Sequence, residues 1–201
     1  MHKYTLQHKV AYIPTPAYLQ DYWLPQHFIQ YCQACHNYNK SWACPPFDFE
    51  PRAVLEHYPH TYILGTQVVF TAEFKAQVKQ EKSAQTAGSA IMYEVRALLD
   101  KQLLALEKDT ASRAYYAGSC HLCPEQACTR SFNQPCRQPA YMRPSLEAFG
   151  FDIGKTTSQL LSLELVWGAK GELPPYYILV SGWMTKKGDQ AELLEKAINI
   201  S

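Results

Sequence analysis

The sequence predicts an α/β or α+β fold, in which a small mixed sheet of about three to five strands carries helices and a cysteine-rich loop lobe binds metal. Three observations support this prediction. Stretches of strand character alternate along the chain with stretches of helical character. Hydrophobic residues make up 47% of the 201 residues, which is enough for a substantial core. The seven cysteines fall into two short groups. We expect a single domain over residues 1–201.

The first elements follow from local patterns. Residues 3–13 mix polar and apolar positions, which is a weak strand pattern. Thr15 followed by Pro16 predicts the N-cap and first residue of a helix of about fifteen residues, which Pro25 can divide. Residues 62–71 are rich in β-branched and aromatic side chains, so they predict a buried strand.

The clearest helix begins at Gly88 or Ser89 and ends near Lys108, because its apolar residues recur on one face. The polar residues 72–87 before it predict a partly helical connection. Residues 113–117 then predict a short strand that leads into the second cysteine group.

The chain after that group returns to regular structure. Residues 145–149 predict one helical turn, and residues 155–166 predict a further helix. Residues 176–183 carry the strongest strand pattern of the chain. A small amphipathic helix over residues 189–198 follows, with Asp189 as its N-cap.

Charge and hydropathy exclude several classes of partner. Nineteen basic and eighteen acidic side chains give a net charge of +1, so we expect neither nucleic-acid binding nor a polybasic membrane anchor. No apolar stretch reaches the roughly 18 residues of a membrane span, and the first residues lack a signal-peptide pattern. We therefore expect a cytoplasmic protein, in whose reducing environment clustered cysteines are metal ligands rather than disulfides.

The second cysteine group has the spacing C-x2-C-x4-C-x7-C. It consists of Cys120, Cys123, Cys128 and Cys136. Prolines within this stretch prevent regular helix or strand, so bound metal is needed to supply its folding free energy. Unequal intervals suit the wrapping of a [4Fe-4S] cluster, which is larger than a single ion. A single zinc ion on the same four thiolates is the alternative.

The first group contains Cys32, Cys35 and Cys44, and three thiolates leave one coordination position open. His36, Asp48 or a cysteine of the second group could fill it. The group either fastens the N-terminal lobe, or holds a second cluster with an open iron, where a substrate could bind.

A zinc ion shared between the two C-x2-C pairs is a further alternative, and it leaves Cys44, Cys128 and Cys136 without a role. Three arginines flank the second group, and we expect their charge to raise the potential of a bound cluster. They are Arg130, Arg137 and Arg143. We expect His121 to be exposed, and Trp42 and Phe47 to shield the first site from water.

The two groups together resemble a prokaryotic family of predicted metal-binding proteins, the domain of unknown function 2284. The matching stretches are residues 32–46, 120–139 and 143–152, within a similarity that runs from about residue 30 to 184. The resemblance implies metal binding through the seven cysteines, with iron–sulfur chemistry expected, and implies no particular reaction. The interval from Cys123 to Cys128 is longer than the two residues found in many members.

The sequence thus predicts an iron–sulfur protein with one [4Fe-4S] cluster, or two, that serves electron transfer or redox support for a partner protein. The first alternative is a zinc-stapled binding module, in which zinc on the cysteines only stabilises the fold and has no redox role. The second is an enzyme that uses an open iron on the three-cysteine group. No pattern in the sequence points to a particular oligomeric state.

Overall fold

The computed structural model describes residues 2–80, 84–166 and 172–198. Within these residues the fold is α+β, with seven α-helices and one four-stranded sheet. The strands are β1 (Tyr4–Pro14), β2 (His60–Phe70), β3 (Ser112–Tyr115) and β4 (Tyr176–Thr185). The helices are α1 (Thr15–Tyr22), α2 (Pro25–Ala34), α3 (Pro51–Glu56), α4 (Ala72–Gln80), α5 (Ala84–Asp109), α6 (Ile153–Lys155) and α7 (Ala191–Ile198).

The sheet has the strand order β1-β2-β4-β3, and each neighbouring pair is antiparallel. Of the two classes that the sequence left open, the structure therefore has α+β, and the sheet is not mixed. No helix in the described parts of the chain has the length and apolar character that crossing a membrane requires.

Both faces of the sheet are covered, because successive strand residues point to opposite sides. Leu64 of β2 and Trp183 of β4 belong to one buried cluster, together with residues of α4, α5 and α7. Ile63 of β2 and Val180 of β4 belong to a second cluster on the other face, with residues of α1 and α3. Double coverage explains why β2 and β4 are almost continuously apolar in sequence.

Most of the predicted elements are confirmed, including the four strands, α5, and the division of the first helical region at Pro25. The predicted cap of α1 is wrong. Pro14 occupies the N-cap position, and no side chain caps the helix. The hydroxyl of Thr15 instead lies 2.7 Å from that of Thr61 in β2, because its helix packs against the sheet at this point.

The predicted helix over residues 155–166 is also wrong. Helix α6 is one short turn that widens into a π-turn over Thr156–Leu160 and ends there. The hydroxyls of Thr156 and Thr157 donate to the carbonyls of Asp152 and Ile153, each at 2.6 Å. Hydrogen bonds from side-chain hydroxyls to backbone carbonyls compete with the backbone hydrogen bonds of the helix. This competition favours a widened turn over a longer helix.

Two smaller predictions concern the turns of the C-terminal half. Residues 145–149 do form a single turn, in which the N–H of Phe149 donates to the carbonyl of Ser145 at 3.3 Å. Helix α7 begins at Ala191, two residues after Asp189, so Asp189 is not the residue that immediately precedes the helix. Asp189 has a positive φ of 54° and forms part of the preceding turn.

Candidate metal centres

The first cysteine group forms where α2 ends. Cys32 lies in the last turn of the helix, and the N–H of Cys35 donates to the carbonyl of Cys32 at 3.0 Å. The backbone of Cys35 is extended, so the chain leaves the helix at this residue and returns with Cys44. The three side chains line one cavity of about 250 Å³. The structure thus brings together the three cysteines that the sequence grouped.

The thiol of Cys44 is the most perturbed of the three. Burial raises its pKa to about 11, and the Ser41 hydroxyl opposes part of this rise by hydrogen bonding to the sulfur. The thiols of Cys35 and Cys32 raise the pKa further, because all three would carry negative charge in one small volume. Such a thiol stays protonated at neutral pH unless a cation compensates its charge, as a coordinated metal ion does.

The second group lines a separate cavity of about 350 Å³. Its cysteines are Cys120, Cys123, Cys128 and Cys136. Burial raises the pKa of the Cys120 thiol, and a hydrogen bond from the backbone of Leu122 opposes the rise. The N–H of Gln138 donates to Sγ of Cys136 at 3.4 Å. Backbone donors to sulfur are a recognised means of stabilising cluster ligands.

The long interval between Cys123 and Cys128 folds into a turn of its own. The N–H of Gln126 donates to the carbonyl of Cys123 at 3.3 Å. Cys128 then occupies the N-cap position of a short 3-10 helix over Thr129–Phe132. The extra residues are therefore accommodated within the turn, and Cys128 still lines the cavity with the other three cysteines.

Arg130 connects the two cysteine loops. Its Nη1 donates to the carbonyls of Cys44 at 2.7 Å and Ser41 at 3.1 Å, and its Nη2 donates to the carbonyl of Pro46. The guanidinium also lies over the ring of Trp42, 5.2 Å from its centre. Arg130 thus fixes the second loop against the first.

The other two arginines that flank the second group make different contacts, and their expected effect on a cluster stays a prediction. Arg143 forms a bidentate ion pair with Glu107, in which Nε lies 2.8 Å from Oε2. Its charge is therefore largely compensated by this partner. Arg137 is exposed and donates to the carbonyl of Ala127 at 2.9 Å, within the second loop.

The prediction that His121 is exposed is wrong. Its side chain is 15% exposed, and Nε2 lies 2.9 Å from Oδ2 of Asp100. The imidazole also stacks on Tyr93, with ring centres 5.8 Å apart. Burial raises the pKa of Asp100, and the contact with His121 opposes that rise. The stretch around Cys120 is thereby fastened to the middle of α5.

The aromatic residues near the first group also differ from expectation. Trp42 lines the second cavity rather than the first, and its Nε1 donates to the carbonyl of Gln134 at 3.1 Å. Phe47 packs against Phe149, with ring centres 5.2 Å apart, and does not line the first cavity. Trp42 therefore belongs to the contact between the two loops.

Sequence reasoning missed Glu147, which lines the first cavity. The residue as a whole is half-buried, but its Oε2 atom is out of contact with solvent and has no hydrogen-bond partner within the described residues. Burial raises the pKa of Glu147, opposed by its own N–H and the Ser145 hydroxyl. The feature of the sequence that indicates a buried carboxylate here is the position of an acidic residue between the apolar residues Leu146 and Phe149.

The residues that the sequence offered for the open position of the first group lie elsewhere. His36 lines the second cavity, and Asp48 lines neither of the two. Cys120 is close enough to influence the charge of Cys44, but it lines the second cavity. Glu147 is therefore the acidic side chain that shares a cavity with the three thiols.

The seven thiols are of a chemical type that binds soft metal ions. All seven are free, and none is fully buried as an apolar core cysteine would be. Within the described ranges, no three His, Cys, Asp or Glu side chains converge closely enough to hold a single metal ion. A tetrahedral zinc site needs sulfurs about 3.8 Å apart, whereas the thiolates of a [4Fe-4S] cluster bind different irons and lie farther apart.

A further cavity, of about 780 Å³, lies away from both cysteine groups. It is bounded by α1, the start of α2 and α3, and its lining includes Trp23, Arg52 and Tyr58. No cysteine lines it, so it is not part of either candidate metal centre.

Comparison with known proteins gives one match. Residues 19–180 match the model of a family described as predicted metal-binding protein (DUF2284), and this range includes both cysteine groups and Glu147. No curated protein and no solved structure matches the chain significantly.

Proposed function

Since this chain belongs to the DUF2284 family of predicted metal-binding proteins, we propose that its metal is iron, bound as [4Fe-4S] clusters by the two cysteine groups. One cluster is assigned to Cys120, Cys123, Cys128 and Cys136. A second is assigned to Cys32, Cys35 and Cys44. The observation that carries the proposal is that each group lines a cavity of its own.

The separation of the cavities favours clusters over a shared zinc ion. A zinc ion on the two C-x2-C pairs needs Cys32, Cys35, Cys120 and Cys123 around one point. The first pair lines one cavity and the second pair lines the other. Among the described residues, no three His, Cys, Asp or Glu side chains converge on a site for a single ion, and a cluster, whose ligands lie farther apart, does not require them to.

The proposed role is electron transfer or redox support for a partner protein, in a reducing compartment such as the cytoplasm. A bound [4Fe-4S] cluster exchanges one electron with a partner. The chain supports this role with half-buried ligands near the surface and with hydrogen bonds to sulfur that tune the potential. Phe132 and Tyr141, which precede and follow Cys136 in the sequence, are exposed side chains that a redox partner could pack against.

The test is anaerobic purification followed by iron, sulfide and zinc analysis with optical and paramagnetic resonance spectra. We expect about four irons per cluster, hence about eight per chain, and visible absorbance that bleaches on reduction. Colourless protein that carries stoichiometric zinc and no iron would contradict the proposal.

A matched pair of variants tests the second centre. Cys128→Ser removes one ligand and should lower the iron content and the visible absorbance by about half, because one of two clusters is lost. Ser131→Ala alters a side chain that lines the same cavity without supplying a ligand, so it should retain both. Full iron content in Cys128→Ser would exclude Cys128 as a cluster ligand.

A further inference from the structure

We propose that Glu147 supplies the fourth protein ligand of the three-cysteine centre, its carboxylate binding the iron that no cysteine holds. This inference deepens the proposed iron–sulfur function and rests on it. Three thiolates leave one iron of a [4Fe-4S] cluster without a protein ligand, so a fourth donor must come from another residue or from outside the chain.

The residues that line the cavity indicate Glu147 as the fourth ligand. Ten residues line it, all within the described part of the chain, and Glu147 supplies the one carboxylate among them. No histidine lines this cavity. Its remaining polar side chains are hydroxyls, which are neutral and therefore weaker iron ligands than a carboxylate at ordinary pH. Glu147 and Cys32 also lie within electrostatic reach of each other.

The unpaired carboxylate oxygen is the second line of support. Oε2 of Glu147 has neither solvent contact nor a hydrogen-bond partner within the described residues. Leaving a charged acceptor buried and unpaired is costly, so such groups in folded proteins are normally paired or bound to metal. Because this oxygen has no accessible surface, the side chain must turn toward the cavity to bind an iron ion there, and that iron would then provide the missing partner. Carboxylates are established ligands of iron.

The backbone holds Glu147 in a fixed position. It lies in the turn that follows Ser145, where the N–H of Ala148 donates to the Ser145 hydroxyl at 3.2 Å and the N–H of Gly150 donates to the carbonyl of Glu147 at 2.9 Å. Leu146 and Phe149 on either side are buried in the core. The backbone of this ligand therefore needs little reorganisation, and the side chain alone has to turn to bind metal.

The charges at and near the cavity also suit a carboxylate ligand. A carboxylate carries the same single negative charge as a thiolate, so a centre with three cysteines and Glu147 has the net charge of an ordinary four-cysteine centre. The buried guanidinium of Arg96 lies within electrostatic reach of Glu147 and donates to the carbonyl of Ser119, which lines the cavity. Its positive charge offsets part of the negative charge of the centre.

The test compares Glu147→Gln and Glu147→Cys with the wild type after anaerobic reconstitution with iron and sulfide. A carboxylate-held iron should be lost more readily on mild oxidation than a thiolate-held one, leaving the paramagnetic signal of a [3Fe-4S] cluster. We expect Glu147→Gln to raise this signal several-fold and to lower the iron content by about one iron per chain. Glu147→Cys should suppress the signal. Glu125→Gln removes an exposed carboxylate and should match the wild type.

The outcomes separate this inference from the proposed function. Wild-type iron content and oxidation behaviour in both Glu147 variants would overturn the fourth-ligand role. Cys44→Ser serves as the reference for the centre itself. If Cys44→Ser loses about four irons while Glu147→Gln loses none, the cluster is present and Glu147 is not its ligand. If Cys44→Ser keeps the full iron content, the first centre does not exist and the proposed function fails there together with the inference.

Discussion

At the scale of single residues, the seven cysteines differ from ordinary core cysteines in two respects. Six of them are half-buried and Cys35 is exposed, whereas an unreactive cysteine is commonly buried as a small apolar side chain. Cys136 also accepts a hydrogen bond at sulfur from the N–H of Gln138, at 3.4 Å. Such donors stabilise a thiolate, which is the form that binds metal.

The Arg143–Glu107 pair is the clearest ionic contribution of single residues to stability. The two side chains are only 13% and 16% exposed, and Glu107 also accepts from the N–H of Ala114 at 2.7 Å. Arg143→Ala would leave the carboxylate buried without its counter-charge. We expect a loss of about 3 kcal/mol in the free energy of unfolding, measured by chemical denaturation.

Arg52→Ala is the control for this prediction. Arg52 pairs with Glu56 one helical turn away, but these side chains are 60% and 51% exposed. Solvent screens such a pair, so its loss should change stability by less than about 1 kcal/mol. Equal effects of the two substitutions would contradict the contrast in burial on which the prediction depends.

The sequence predicted the candidate ligands unequally well. The cysteines were identifiable because their spacing is a local property of the chain. Glu147 was not, because its burial depends on a turn that packs Leu146 and Phe149 against the sheet. For Arg130 the sequence predicts only an electrostatic role. Its contact with the carbonyls of the first loop joins segments more than 80 residues apart, so no local pattern indicates it.

At the scale of elements, the segment around Gly150 joins the turn of Glu147 to the start of α2. The N–H of Leu24 donates to the carbonyl of Gly150 at 3.0 Å, and Gly150 has a positive φ of 93°. A Cβ at this position would lie 2.6 Å from Cα of Pro25. Both the backbone conformation and the close approach therefore require glycine here.

Gly150→Ala should consequently destabilise the fold by at least about 2 kcal/mol, from strain at positive φ and from displacement of Pro25. Thermal and chemical unfolding would measure the loss. Gly154→Ala provides the matched control, because a Cβ there would make only an ordinary contact of 3.4 Å with Asp152. We expect it to remain within about 1 kcal/mol of the wild type, and a similar loss in both variants would argue against a special role for Gly150.

Elements with long apolar patterns were predictable, and those decided by polar contacts were not. β2, β4 and α5 are confirmed because each buries a regular set of apolar side chains. The helix expected over residues 155–166 fails because the hydroxyls of Thr156 and Thr157 bond to the preceding turn. Apolar periodicity does not report such local hydrogen bonds.

At the scale of the whole molecule, the sheet and the cysteine loops are distinct parts. The two buried clusters that cover the sheet contain no cysteine. The loops contact each other through Arg130 and Trp42, and they contain little apolar core of their own. We therefore expect metal to stabilise the loops and side-chain packing to stabilise the sheet.

Removal of the metal by a chelator under reducing conditions tests this division. Residues 32–46 and 118–139 should lose most of their protection against amide hydrogen exchange, while β2, β4 and α5 keep theirs. Hydrogen exchange followed by mass spectrometry reads each region separately. Loss of protection throughout the described sheet would show instead that the fold as a whole depends on metal.

The most direct measurement of the central claim is native mass spectrometry of the protein isolated without air. The account predicts two mass increments per chain, each equal to four irons and four sulfides, because two separate groups of thiols hold two clusters. Cys120→Ser should leave one of them. A mass that corresponds to the bare chain or to bound zinc ions in the intact protein would contradict the account.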